Sequence, residues 1–276
     1  MRLCESYEFS AGITGYRLGW SPFGRPLMSV YCFIFGRTMV DTGLSHMGPE
    51  VLALAEAQRI VQIFLTHHHE DHSGNADRIC RETGAQAFAH DLACAKMKTR
   101  YPVLPYQKLV WGRTTPMALS SLPDVIDTEL GPMVPVHTPG HSKDHLCYHL
   151  PDHGVLFSGD LYLGDRIKFF RSDEDVIEEA ASLKRISQLE FNTLLCGHNP
   201  RREKGRDHIL AKLDFLETLC GGIETLHRKG CGEKEIFSRL GLKEDHFIKW
   251  FCFFNVSMKN AVRSVVRRLE LTDQAS

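Results

Sequence analysis

The chain has 276 residues, 43% of them hydrophobic and 24% charged, and a formal net charge of −1. That length suits one large domain, or one domain with a helical appendage, and the near-neutral balance excludes a global field that would draw nucleic acid or an anionic membrane surface. No apolar run reaches the roughly 18 residues of a membrane span, and the opening MRLCESYEF has no basic segment leading into an apolar one, so neither a span nor a secretion signal is expected.

Nine cysteines stand singly, with no CxxC pair and several inside apolar runs. Buried free thiols in a reducing cytoplasm are expected rather than a disulfide framework. Residues 1–199 carry a net −5 and residues 200–276 a net +4, with alternating signs, which is the pattern of a solvated helical surface.

The first forty residues read as strands. Residues 27–35 are β-branched and aromatic, and a turn at Gly36-Arg37 leads into Thr38–Asp41. Pro49 opens a helix through about Gln58, and residues 60–66 form a short apolar strand. A helix over Asn75–Glu82 stops at Gly84, Gln86–Ala89 is a strand, and Asp91 caps a helix to about Lys98. Arg100 to Pro123 carries four prolines and little periodicity, so it reads as a long irregular connection: surface decoration, or a lid over a site.

The second half repeats the rhythm. Strands are expected at Met133–His137, Leu146–Leu150 and Gly154–Ser158, then a helix from Asp173 to Leu189 and a strand at Asn192–Cys196. Two α/β halves would thus meet at a crevice at the strand ends. From Gly205 the pattern is helical: one amphipathic helix closed by Gly221-Gly222, a small helix–turn–helix in GEKEIFSRLGL, and a last helix through Met258, Val262, Val265, Val266 and Leu269. The expected division is a catalytic domain of residues 1–204 and a helical extension of residues 205–276.

The chemistry concentrates at Thr66-His67-His68-His69-Glu70-Asp71-His72. Six consecutive imidazole or carboxylate side chains after an apolar strand make no sense as packing, because a core would have to desolvate them. Imidazole nitrogen with carboxylate oxygen and no thiolate suits zinc, iron or manganese in an open site. Three further polar residues follow strand ends, each after a glycine: His141 in TPGH, Asp160 in SGD and His198 in GH.

HxHxDH at 67–72 followed by these three resembles the ligand pattern of the metallo-β-lactamase superfamily over residues 10–200 or so. The resemblance implies an α/β fold of four layers, αββα, with two mixed sheets between helices and a C-terminal helical, winged-helix-like extension. It implies His67, His69 and His141 on one divalent metal, Asp71, His72 and His198 on a second, Asp160 bridging them, and Asp41 beneath the site. Zinc is the expected metal, with iron or manganese as alternatives. Two dications sharing a water lower its pKa towards neutrality, which yields a bridging hydroxide as nucleophile, and Asp71 is the candidate to take up the proton.

Other residues are weighed beside this set. Tyr162 is a candidate hydrogen-bond donor to the oxyanion or leaving group, since the family's lactonases use a tyrosine near this position. His68 and Glu70 alternate away from the ligand direction and are expected to be structural. His145 is either a support for the ligands or an ordinary satisfied histidine; His46, His90, His137, His149 and His153 are read as structural. Phe247, Trp250, Phe251 and Phe254 form a helical-spaced stripe expected in the core, with a pocket roof or a homodimer interface as alternatives.

LTHHHEDHSGN resembles the glyoxalase II and thioesterase branch, and TPGHSKDH with a helical tail resembles a lactamase-like subgroup, some of whose members cut single-stranded RNA. Where glyoxalase II has a glycine-cysteine segment after SGD, this chain has LYLGDRIKFF, which disfavours glutathione specificity. The expectation is therefore a cytoplasmic metallohydrolase of a small ester, thioester or lactone. Metal-dependent cleavage of RNA is the alternative, and a non-catalytic binding protein is a third class.

Overall fold

The computed structural model describes residues 1–275. Its contacts divide the chain into two compact units, neither a continuous block: residues 1–137, 144–160 and 190–205 form the first, and residues 138–143, 161–189 and 206 onward form the second.

Two sheets make up the first unit. β1 (Arg2–Glu8), β2 (Thr14–Trp20), β3 (Val30–Phe35), β4 (Thr38–Val40), β5 (Gln62–Phe64), β6 (Gln86–Ala89) and β7 (Ser120–Ser121) pair in that order. Pairing is antiparallel from β1 to β4 and parallel from β4 to β7. The second sheet uses β8 (Ile126–Thr128), β9 (Gly131–His137), β10 (Leu146–Leu150) and β11 (Val155–Gly159), with β13 (Thr193–Cys196) parallel to β11 at its edge. The intervening two-residue β12 (Phe170–Arg171) pairs with β14 (Val256–Ser257) in the second unit.

The period of two along a strand explains the layering. In β3, Cys32 and Ile34 pack with Val51, Ala55, Ile79 and Met97 from the helices Gly48–Ala57, Ala76–Thr83 and Asp91–Met97. Phe33 and Phe35 face the other way, into a cluster with Tyr148 and Phe157 of the second sheet. The Phe33 and Phe157 rings lie 5.6 Å apart and those of Phe35 and Phe157 5.7 Å apart. Each such buried side chain contributes on the order of 1.5–3 kcal/mol, so both faces of β3 are buried and its register is fixed.

Four expectations are corrected. The helix Asp91–Met97 is capped by His90, whose Nδ1 accepts from the Leu92 N–H, and not by Asp91. The Arg100–Pro123 segment is not wholly irregular: a helix spans Pro105–Val110, with proline in its first turn and the Gln107 side chain accepting from the Leu104 N–H. The helix from Gly205 does not close at Gly221-Gly222 but runs to Arg228; an interior glycine costs about 1 kcal/mol, less than the burial of Leu219 and Ile223 on either side returns.

The aromatic stripe is the fourth. Phe247, Trp250 and Phe254 are 67%, 66% and 51% exposed and do not pack in a core. Helix His246–Phe251 ends before the stripe does, and Phe253 and Phe254 take φ of 51° and 65°, so helical spacing is lost there. Among the described residues no helix is long and apolar enough to cross a membrane.

Candidate metal centre

The chain leaves β5 at Thr66, and the first thing that orders the histidine turn is a buried carboxylate. Asp41, directly after β4, accepts from the Thr66 N–H at 2.8 Å, from Thr66 Oγ1 at 2.8 Å and from His72 Nδ1 at 2.7 Å. Its backbone has φ 56°, the left-handed region that costs a non-glycine residue free energy. Backbone bonds from Asp41 N to Phe64 O and from Thr42 N to His72 O hold it there. A single helical turn, Glu70–Ser73, then brings Asp71 and His72 back over the strand end, and Ser73 Oγ donates to the carbonyls of His68 and His69.

A carboxylate only accepts, so the Asp41 contact places a ring proton of His72 on Nδ1 and makes Nε2 the nitrogen that would bind a metal in place of a proton. That Nε2 is buried and makes no hydrogen bond; it lies 3.2 Å from Asp160 Oδ1 and 3.8 Å from Asp71 Oδ2. His198 is treated alike: Nδ1 donates to the Ser29 carbonyl at 2.8 Å, and Nε2 stands 3.3 Å from Asp71 Oδ2 and 3.5 Å from Asp160 Oδ2. Donor atoms of Asp71, His72, Asp160 and His198 all lie within 4.8 Å of one another. Lone pairs and carboxylates aimed at one point repel unless a positive charge stands among them, so this donor set fits a dication.

The acid–base balance agrees. Burial opposes charge on His72 and His198, yet the Asp160 carboxylate, with Asp41 and Asp71 at His72, outweighs it: His72 is raised well above the usual imidazole range and His198 to about 10. Burial likewise opposes ionisation of Asp160 and Asp71, but the facing imidazoles hold Asp160 well below the usual carboxylate range and lower Asp71. The carboxylates that would keep protons on these rings would bind a metal in their place.

The other predicted ligands are placed as follows. His67 and His69 are in the first unit, with His67 Nε2 2.8 Å from His69 Nδ1 and His67 Nδ1 3.0 Å from Thr66 Oγ1. His141 belongs to the second unit, where its Nδ1 donates to Glu174 Oε1 at 2.6 Å, so Nε2 is the nitrogen it would offer to a metal. Backbone crowds the centre closely: a Cβ on Gly197 would stand 2.6 Å from His72 Cε1 and 2.7 Å from Asp160 Oδ1, which only glycine allows.

Residues read as structural have specific partners. His68 donates Nδ1 to Asp144 at 2.8 Å and faces Lys96 Nζ with Nε2 at 2.6 Å, and Tyr101 donates to its carbonyl. His145 Nε2 accepts from the Asp160 N–H at 3.1 Å, so it supports a candidate ligand. Glu70 accepts from Gln107, and the Trp111 ring lies 5.9 Å from that of His198, so the Arg100–Pro123 segment borders this centre.

Tyr162 lies in the second unit, fully buried, its hydroxyl donating to Asp165 at 2.7 Å and facing His208 Nδ1 at 3.3 Å. Sequence reasoning missed Glu174, Asp144 and Lys96, because single charged residues 28 to 76 positions from their partners carry no local signal.

The chain belongs to the metallo-beta-lactamase superfamily, whose family model matches residues 26–198. Among curated relatives, a hydroxyacylglutathione hydrolase of Cereibacter sphaeroides is 31% identical over 62% of this chain and 61% of its own length. An atrochrysone carboxyl ACP thioesterase of Aspergillus fumigatus is 27% identical over 71% and 59%, and a beta-lactamase-like protein 2 homolog of Drosophila melanogaster 30% over 66% and 62%. The chain thus spans about three fifths of the length of the curated relatives it matches. A metallo-beta-lactamase family protein of Thermus thermophilus superposes with TM-score 0.65 over 94% of both chains at 20% identity, which shows the shared fold. Two mixed sheets, their helices and the C-terminal helices are therefore the metallo-β-lactamase fold the motif implied.

Proposed function

We propose that the chain is a dinuclear metal-dependent hydrolase of small thioesters, with small esters and lactones as neighbouring substrates. The observation that carries this is the buried His72 Nε2, fixed as a lone-pair donor by Asp41 and aimed with His198 at the carboxylates of Asp71 and Asp160. In this reading Asp71, His72, Asp160 and His198 would hold one ion, and His67, His69 and His141 would hold the other. When bound, two ions such as zinc, iron or manganese supply Lewis acidity and a water of lowered pKa.

The chain's own groups do the rest. Asp41, Thr66 and Glu174 fix imidazole protons on the nitrogens that face away from the ions. Asp71 is the candidate to take up the proton of the attacking water. Trp111, whose ring lies 5.9 Å from that of His198, is the candidate for a wall of the substrate pocket. Relatives named as a hydroxyacylglutathione hydrolase and an ACP thioesterase both cleave acyl–sulfur bonds by their names, which supports the thioester over the phosphodiester.

Metal-replete protein assayed against acyl thioesters, lactones, bis-p-nitrophenyl phosphate and short RNA tests this directly. Thioester turnover that vanishes on chelation is expected; turnover of phosphodiester or RNA alone would replace the proposal. Tyr162→Phe addresses the phenol separately. With its hydroxyl committed to Asp165, the variant is expected to keep kcat within about fivefold. A fall of about 100-fold or more, the scale of a lost oxyanion donor, would put the phenol at the reacting centre.

A further inference from the structure

We infer that the buried Lys212–Glu179 ion pair is a positioning element for the ligands Asp160 and His141. Lys212, on the helix Gly205–Arg228, is 1% exposed, and its Nζ donates to Glu179 Oε1 at 2.5 Å and to the Leu161 carbonyl at 2.6 Å. Leu161 is the residue after Asp160. Glu179, on the helix Val176–Ile186, is 3% exposed, and its backbone is the floor under the residue before His141: a Cβ on Gly140 would stand 2.4 Å from Glu179 Cα.

The same helix takes the rest of the His141 loop. The Asp175 N–H donates to the Gly140 carbonyl at 2.8 Å, Ser182 Oγ donates to the Pro139 carbonyl at 2.7 Å, and Glu174 just before the helix holds His141 Nδ1. One charge pair therefore ties the Leu161 carbonyl, one residue beyond Asp160, to the helix on which the His141 loop rests. Stability alone is a poor account of it, because desolvating two charges offsets most of their attraction and an apolar pair of similar volume is often as stable. What an apolar pair does not supply is the donor that fixes the Leu161 carbonyl. Without it the Leu161 carbonyl loses its partner, the chain leading out of Asp160 its anchor, and the carboxylate its aim.

This inference rests on the metal-centre reading, and the test separates the two. Zinc affinity, by competition with a chromophoric chelator, and melting of the metal-free protein are measured for wild type, Lys212→Met and Lys212→Met/Glu179→Met. The single variant leaves a buried carboxylate uncompensated and is expected to lower the metal-free melting temperature by about 10 °C. The double variant is expected to recover most of that loss in melting yet bind zinc about 10–100-fold more weakly, the scale of losing an outer support of a metal site. A merely structural pair would recover both together. A double variant that binds zinc as tightly as wild type, or one that does not fold, overturns the inference; wild-type protein that binds no zinc sinks the metal centre itself and this inference with it.

Discussion

Asp160→Ala is expected to reduce thioester turnover to background, a fall of at least about 10³-fold in kcat/KM, or on the order of 4 kcal/mol of transition-state stabilisation. Its two oxygens address different imidazoles, Oδ1 at 3.2 Å from His72 Nε2 and Oδ2 at 3.5 Å from His198 Nε2. Alanine takes the centre's shared carboxylate away and leaves two inward-facing nitrogens with Asp71 alone, so metal content is expected to drop together with turnover. Mass spectrometry of the native protein, with circular dichroism to confirm folding, checks both. A variant that keeps its full metal complement and a tenth of the activity would remove Asp160 from the role proposed for it.

Asp41→Ala is the second large effect, and it is expected in stability as well as in metal affinity. Alanine strands the Thr66 N–H, the Thr66 hydroxyl and the His72 Nδ1–H, all buried and all now donating to one carboxylate. Leaving buried donors of a charged acceptor unmet costs about 3–5 kcal/mol, and loss of the group that orients His72 costs about 10–100-fold in metal affinity. Asp41→Asn separates the two. Asparagine tolerates the φ of 56° at this position and keeps one acceptor oxygen, so most stability is expected to return while metal affinity stays depressed, because an amide is a weaker acceptor for the His72 ring proton. Urea unfolding and chelator competition measure the pair. Equal metal affinity in wild type and Asp41→Ala would show that the tautomer of His72 is set elsewhere.

Thiol reagents bear on the cysteines. All nine stand outside disulfides, and burial raises the Cys32 thiol and pushes that of Cys196 up to about 12. Neither is poised as a nucleophile, which agrees with a centre whose donors are nitrogen and oxygen.

Much of this was legible in the residues alone, for one reason: the signals are local. A period of two, with β-branched and aromatic residues, marks Val30–Phe35 and Leu146–Leu150 wherever the rest of the chain goes. Six polar side chains in a row after an apolar strand mark a candidate site because burying them demands dedicated partners, and Asp41, His198 and Asp160 announce themselves by ending strands whose neighbours are apolar. Single-residue offsets, such as His90 in place of Asp91 as a cap, lie at element ends, where local preferences are weakest.

Long-range pairing decided the remainder. Nothing in the runs HSKDH or SDEDVIEE says that Asp144 holds His68 or that Glu174 holds His141, since each contact closes a loop of 33 to 76 residues and depends on which strand ends the sheets bring together. Helical spacing read the aromatic residues 247–254 as core, and left-handed backbone at Phe253 and Phe254 undid it. Lys212 sits among alternating charges that read as a solvated surface; only tertiary packing buries it against Glu179. The chain by itself determined which atoms are able to bind a metal, because that is a property of side-chain chemistry and local order. Which way those atoms point, and what holds them there, the tertiary structure decided, because buried hydrogen bonds between distant segments exist only once the sheets have formed.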